Sequence, residues 1–136
     1  MMVTVEISSP RFSCLKWRDN GRLDFVSPLP CPFNYGRIPR TRAGDGDCLD
    51  ALVLGPRLRR GAEVVVPVQG IVHFVDAGCD DPKWVCSYTP LGRGQKWQIG
   101  AFFHVYAQAK RCLNRLRGLP GPTYFGGWLP APGTGP

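Results

Sequence analysis

The sequence contains no apolar run that approaches the roughly 18 residues of a membrane-spanning helix. Its first ten residues include Glu6 and lack a basic flank followed by an apolar stretch, so they do not resemble an export signal. The six cysteines form no C-x-x-C pair, and only two histidines accompany them, which excludes the common zinc-site patterns. We therefore expect a cytoplasmic chain with reduced thiols and no membrane partner.

Acidic residues are also few. Ten Asp and Glu stand against 17 Lys and Arg, and the resulting net charge of +7 favours an anionic partner such as nucleic acid, a phosphate compound or an acidic surface. A chain of 136 residues that is 43% hydrophobic can bury the core of one compact domain. We expect that domain to span residues 1–128, with a flexible Pro/Gly-rich tail over residues 129–136.

Strand signals dominate the first two thirds of the chain. Alternating or valine-rich segments predict strands at 3–7, 14–18, 22–26, 51–54, 63–75 and 83–86. The segment 27–39 carries four prolines, which donate no ladder hydrogen bond, so an ordered loop is expected there. One long amphipathic helix is predicted over about 94–118, with an apolar stripe of Trp97, Phe102, Val105, Ala109, Cys112, Leu113 and Leu116. The expected fold class is α+β, mainly β.

The few carboxylates are concentrated. Six of the ten lie in two short windows, Asp45, Asp47 and Asp50 in the first and Asp76, Asp80 and Asp81 in the second. Like charges this close repel one another unless cations neutralise them, and oxygen-only clusters select hard ions such as Mg²⁺, Mn²⁺ or Ca²⁺. The alternative is a pair of solvated acidic turns. A calcium loop counted from Asp45 fails, because Leu49 and Pro56 occupy ligand positions.

The first acidic window resembles the signature of the soluble, Mg²⁺-dependent inorganic pyrophosphatases of family I. That signature has three aspartates spaced as in D-G-D-C-L-D, followed by a buried strand. Further similar segments are P-F-N-Y-G at 32–36, G-I-V at 70–72, D-P-K at 81–83 and F-F-H-V-Y at 102–106. The resemblance covers about residues 3–128. It implies a small closed five-stranded OB-like barrel with the long helix packed on it, and a cytoplasmic homo-oligomer that hydrolyses pyrophosphate to two phosphates.

The resemblance also assigns roles to individual residues. Several divalent ions, Mg²⁺ or else Mn²⁺, would be held by carboxylates: Asp45, Asp50 and Asp81 for the high-affinity ion, and Asp76 with Glu6 for ions that arrive with substrate. Asp47 would be the catalytic general base that takes a proton from the attacking water. Phosphate oxygens would be bound by Lys16, Tyr35, Lys83 and Tyr106.

Some positions depart from the family pattern and thin the substrate contacts more than the metal contacts. Arg18, Cys31 and Ala107 stand where the family has Glu, Tyr and Lys. The family's phosphate-binding Arg has no clear match, and Ser27 falls near its place.

Other side chains can compensate for these departures. Arg37, Arg40 and Arg42 can supply the missing positive charge, or they can be solvated loop residues; Arg40 is our candidate substrate contact. Lys110, one turn after Tyr106, can replace the lysine missing at Ala107. Cys48 stands where proline is usual, as an oxidant-sensitive thiol or as a small filler residue.

Two other functions stay open. The first is a hydrolase of another phosphoanhydride on the same scaffold, if the loop between Val26 and Asn34 widens the pocket. The second is a non-catalytic module for single-stranded nucleic acid, which a basic five-stranded barrel with four Trp, four Tyr and seven Phe also fits. A nucleic-acid binder has no need of clustered aspartates, which repel phosphate unless metal is present. We therefore expect an enzyme with pyrophosphate as its partner and no nucleic acid.

Overall fold

The computed structural model describes residues 1–17, 21–26, 30–44 and 46–132. Within these ranges the chain forms nine strands and one helix. In chain order they are β1 (Met2–Ser9), β2 (Leu15–Trp17), β3 (Leu23–Val26), β4 (Asn34–Ile38), β5 (Leu49–Val53), β6 (Glu63–Asp76), β7 (Cys79–Asp80), β8 (Lys83–Cys86), α1 (Arg93–Leu116) and β9 (Tyr124–Leu129). The predicted α+β, mainly β class is confirmed.

Five strands close into a ring. The order is β1-β4-β5-β8-β6, and β1 pairs with both β4 and β6, so the last strand returns to the first. The long strand β6 pairs with four strands: β1 along its first half, then β8 and β9, and β7 at its end. Its register against β8 shifts between Val68 and Gly70, as at a β-bulge. The closed five-stranded arrangement with one long helix is thereby confirmed.

Two apolar clusters hold this arrangement. One lies within the ring and includes Val5, Ile38 and Val66. The other lies between the ring and α1, where Phe74 of β6 packs against Phe103 of α1 with ring centroids 5.9 Å apart. The helix is therefore fixed to the outside of the ring by aromatic packing.

The loop expected over 27–39 is wrong for its second half, because β4 lies there between β1 and β5. The prolines explain how a strand fits. Pro32 lies before the strand and Pro39 after it, so neither removes a hydrogen-bond donor from the ladder. Gly36 is required within the strand, since a side chain there would overlap the Glu6 carbonyl. Residues 27–29 lie outside the described part of the chain.

The helix face predicted to be buried is also wrong. Trp97 and Leu116 are 76% and 86% exposed, and Val105 is 46% exposed. The buried face consists of Ile99, Phe103, Tyr106, Ala107, Lys110 and Asn114. The error arises because two polar residues on this face reach a carboxylate of β6, which hides the apolar stripe from a pattern of hydrophobic residues.

The strand β9 was not predicted, because two glycines interrupt it. Gly126 has a packing reason, since a Cβ there would collide with the His73 ring. The strand ends at Leu129, and residues 133–136 lie outside the described part of the chain. No helix in the described ranges is long and apolar enough to cross a membrane.

Candidate active site

A row of charged residues crosses four neighbouring strands of the ring. Strand register places Glu6 opposite Arg37, Arg37 opposite Asp50, and Asp50 opposite Lys83. Residues paired directly across strands present their side chains on one face of the sheet. The row therefore alternates acid and base across β1, β4, β5 and β8.

Lys83 forms the centre of the candidate site. Its Nζ donates to Asp50 Oδ2 at 2.7 Å and to Asp81 Oδ2 at 2.8 Å. Lys83 and Asp81 are 2% and 5% exposed, so this pair is almost closed to solvent, whereas the Asp50 side chain is 25% exposed. Desolvation by itself lowers the pKa of Lys83, but the two carboxylates outweigh it and hold that pKa well above its ordinary value. The lysine is therefore charged, and both carboxylates converge on one cation.

Three more of the predicted phosphate-binding residues surround this cluster. The Nζ of buried Lys16 lies 4.2 Å from the ring centroid of Tyr35 and 5.9 Å from that of Tyr106. Desolvation lowers the pKa of Lys16, and desolvation raises the pKa of both tyrosines. The tyrosine hydroxyls therefore keep their protons and can donate hydrogen bonds to an anion. Lys83 Nζ lies 5.6 Å from the Tyr35 ring, so the structure brings all four residues together.

The two remaining described carboxylates of the expected metal set have partners of their own. Arg37 Nη2 donates to Glu6 Oε1 at 3.1 Å. Lys110 Nζ lies 3.3 Å from Asp76 Oδ2, and Asn114 Nδ2 donates to Asp76 Oδ1 at 2.7 Å. Glu6 and Asp76 therefore lie beside protein cations.

The acidic loop between β4 and β5 carries the expected general base. Asp47 is exposed there, and its carbonyl accepts a hydrogen bond from the Ala43 N–H at 2.8 Å. Asp45, expected as a metal ligand, lies outside the described residues. Arg40 is exposed, with a φ of 65°, and lines a cavity of about 290 Å³ together with Thr41, Arg42, Gly46 and Cys48. The residues lining this cavity do not belong to the charged row.

The donor chemistry of Asp50 and Asp81 fits a hard divalent cation, because both offer carboxylate oxygens to the same point. Within the described ranges no group of three or more His, Cys, Asp and Glu side chains converges as a complete metal site. Asp50 and Asp81 are thus two candidate ligands, and the third that the resemblance names, Asp45, is outside those ranges.

Sequence reasoning undervalued two residues. Arg37 was one of three arginines among which Arg40 was preferred, and its place in the row became visible only with strand β4. Asn114 was not named, although its position eight residues after Tyr106, about two helical turns, puts it on the same helix face. It bridges Asp76 and Thr123, whose Oγ1 accepts a hydrogen bond from the Ala77 N–H.

Comparisons with known proteins find inorganic pyrophosphatases by sequence and by structure. A family model described as inorganic pyrophosphatase matches residues 12–114. The chain is similar to inorganic pyrophosphatase 1 of Pseudomonas syringae pv. tomato, with 43% identity over 101 residues, which is 63% of this chain and 58% of that protein. It is also similar to the inorganic pyrophosphatase of Haemophilus influenzae, with 38% identity over 93 residues, covering 62% of this chain and 53% of the relative. The matched part spans little more than half the length of these curated relatives.

Solved structures resemble the whole fold. The inorganic pyrophosphatase of Thermus thermophilus superposes with a TM-score of 0.76 at 29% identity, over 96% of this chain and 83% of that one. The inorganic pyrophosphatase of Neisseria gonorrhoeae gives a TM-score of 0.75 at 27% identity, over 95% and 82%. Similarity in sequence and in fold thus point to the same group of proteins.

Proposed function

This chain belongs to the inorganic pyrophosphatase family, and from that membership we propose that it hydrolyses inorganic pyrophosphate to two phosphates. The observation that carries the proposal is the cluster of Asp50, Lys83 and Asp81, with Lys16, Tyr35 and Tyr106 around it. Such a cluster combines buried positive charge with two converging carboxylates. A highly charged phosphate substrate that arrives with divalent cations requires both features.

The two lysines and the two tyrosine hydroxyls would bind the substrate. Lys16 and Lys83 are buried, so an anion beside them is attracted with little solvent screening. Protonated Tyr35 and Tyr106 donate hydrogen bonds to phosphate oxygens. The same four donors stabilise negative charge that develops on the leaving phosphate.

The acidic residues would bind the metal ions and accept a proton from the attacking water. Asp50 and Asp81, together with Asp45, would hold Mg²⁺, with Mn²⁺ as a second choice, because carboxylate oxygens are the ligands that both ions prefer. Bound ions of this kind neutralise pyrophosphate and lower the pKa of a water. The exposed carboxylate of Asp47 accepts the proton of the attacking water.

A phosphate-release assay tests the proposed activity. Purified chain is supplied with pyrophosphate and Mg²⁺, and in parallel with a nucleoside triphosphate or tripolyphosphate. We expect rapid release from pyrophosphate, loss of that release on chelation, and recovery with Mg²⁺ or Mn²⁺. Activity that survives exhaustive chelation would contradict the mechanism.

One observation favours the second candidate, a hydrolase of a longer phosphoanhydride. A cavity of about 400 Å³ borders the charged row and is lined in part by Glu6, Arg37 and Arg60. Two arginines beside the site can bind an additional phosphate. Faster release from tripolyphosphate than from pyrophosphate would support this candidate over the first.

The other family-derived expectations stay proposals. A homo-oligomer is expected, and sedimentation velocity at several concentrations tests it. A cytoplasmic location and the absence of a nucleic-acid partner likewise follow from the proposed activity and are open to localisation and gel-shift experiments.

A further inference from the structure

Glu6 is held by a protein cation that strand pairing fixes in place. Glu6 on β1 and Arg37 on β4 are direct register partners, and their side chains meet at 3.1 Å. Arg37 is also the register partner of Asp50 on β5, so its backbone lies between the two acids. An arginine stays protonated at any pH a protein tolerates, so its positive charge at Glu6 is permanent.

Asp76 is held in the same way from the helix. Lys110 is 8% exposed, and its Nζ lies 3.3 Å from Asp76 Oδ2. The other oxygen of Asp76 accepts from Asn114, which is 4% exposed and donates also to Thr123 Oγ1 at 3.0 Å. Because Lys110 and Asn114 lie one turn apart on the buried face of α1, packing of the helix on the ring sets this contact.

The two pairs change what these carboxylates can hold. A divalent ion at Glu6 or Asp76 would approach a positive charge that burial or strand register keeps within about 4 Å of the same oxygens. Like charges at that separation repel strongly where solvent is partly excluded. Asp50 and Asp81 also lie beside a protein cation, but they share the single ammonium of Lys83, so one negative charge stays unbalanced there. Glu6 and Asp76 are each balanced by a cation of their own, and no net negative charge is left to attract a divalent ion. The expected role of Glu6 and Asp76 as metal ligands therefore does not fit their surroundings.

We infer that Arg37 and Lys110 are built-in cations that replace divalent ions at Glu6 and Asp76. Added divalent ions then bind at Asp50 and Asp81 alone among the four described carboxylates of the expected metal set. The inference rests on the proposed function, since it concerns the metals that accompany pyrophosphate. If so, the chain binds fewer divalent ions than its clustered carboxylates would otherwise hold. Arg37 and Lys110 would then face the substrate anion as fixed charges.

Counting bound ions tests this inference without turnover. Equilibrium dialysis with Mn²⁺ and methylenediphosphonate, a non-hydrolysable pyrophosphate analogue, gives the number of Mn²⁺ per chain for each variant. Glu6→Gln and Asp76→Asn should keep the wild-type number, whereas Asp50→Asn should lose at least one ion. Asp80→Asn is the matched control, because Asp80 is exposed beside Asp81 and should change nothing.

Removing one of the protein cations gives a second test, in which an ion is gained instead of lost. Lys110→Met should gain one Mn²⁺ per chain at Asp76, once circular dichroism shows that it is folded. Loss of an ion in Glu6→Gln or Asp76→Asn, together with loss in Asp50→Asn, would overturn the inference and leave the proposed function standing. An unchanged count in Asp50→Asn would instead count against the proposed metal centre.

Discussion

Lys83 and Asp81 form an ion pair of 2.8 Å whose side chains are only 3% and 7% exposed. Asp50 completes the cluster from the neighbouring strand β5, with its carboxylate 2.7 Å from the same nitrogen. One of the two carboxylates is buried and the other is 25% exposed, so the ammonium between them offsets a repulsion that solvent screens only in part. This relationship links the stability of the fold to the ions that the site is proposed to bind.

Removal of that ammonium should therefore destabilise the protein in a way that metal reverses. Lys83→Met leaves Asp50 and Asp81 facing each other, and loss of one partner of a buried ion pair typically costs about 3–5 kcal/mol. Millimolar Mg²⁺ should raise the melting temperature of this variant more than that of the wild type, because it binds only the folded arrangement. Thermal unfolding with and without Mg²⁺ measures both effects. A variant as stable as the wild type in chelator would contradict the role given to Lys83.

The cysteines should differ sharply in reactivity. Burial raises the pKa of Cys86 to about 12, and desolvation also raises the pKa of buried Cys31. The thiolate is the reactive form, so at pH 8 only about one Cys86 in ten thousand is ionised. Mass spectrometry after brief treatment with iodoacetamide should find Cys79 and Cys112, both exposed, alkylated first.

In the same experiment Cys31 and Cys86 should react only after urea is added. Their reaction at the rate of Cys112 in the native protein would show that the core is open to solvent.

Which face of α1 is buried can be tested by two substitutions that each replace a large aromatic side chain by alanine. Phe103 is fully buried against Phe74 and Tyr106, so Phe103→Ala should lower the free energy of unfolding by about 3–5 kcal/mol. Trp97 is 76% exposed, and Trp97→Ala should change it by less than about 0.5 kcal/mol. Urea titration of both variants measures the difference. Comparable losses would mean that the helix packs on the face predicted from its apolar stripe.

Hydrophobic periodicity predicted the strands and the helix whose burial follows a regular spacing in the sequence. The alternation of Val3 to Ile7 and the valines of β6 gave strands because one side of each is buried, and three-and-four spacing gave the helix to within two residues at each end. Strand β4 was hidden by the prolines around it, and β9 by its glycines. In both cases a tertiary contact, Gly36 against Glu6 and Gly126 against His73, explains a residue that looks unfavourable alone.

In the candidate site, too, the local motifs were visible in the sequence and the long-range contacts were not. Asp50, Asp81 and Lys83 lie in short motifs that resemble those of the family, and the structure brings their side chains together. The partners of Glu6 and Asp76 lie 31 and 34 positions away in sequence, so strand register and helix packing choose them. No local pattern contains that information, which is why the sequence did not reveal the protein cations beside Glu6 and Asp76.

Arg40 separates two interpretations of the arginines before the acidic loop. Because it is exposed and lines a cavity apart from the charged row, we expect Arg40→Ala to leave KM for pyrophosphate essentially unchanged. Arg37→Ala, at a position inside the row, should raise KM. Steady-state kinetics over a range of pyrophosphate concentrations distinguish them. A raised KM in Arg40→Ala would identify that residue as the substitute phosphate contact.

The central claim is that pyrophosphate is hydrolysed at the acidic centre of Asp47, Asp50 and Asp81, and phosphate release by two single variants tests it most directly. Asp47→Asn should cut turnover by about 10²- to 10⁴-fold and leave Mn²⁺ binding intact, because it removes a proton acceptor and no metal ligand. Asp50→Asn should shift activation by Mg²⁺ to clearly higher concentration, because an amide lacks the charge that holds the ion. Full activity in both variants would contradict the account and place the function of this chain elsewhere on its surface.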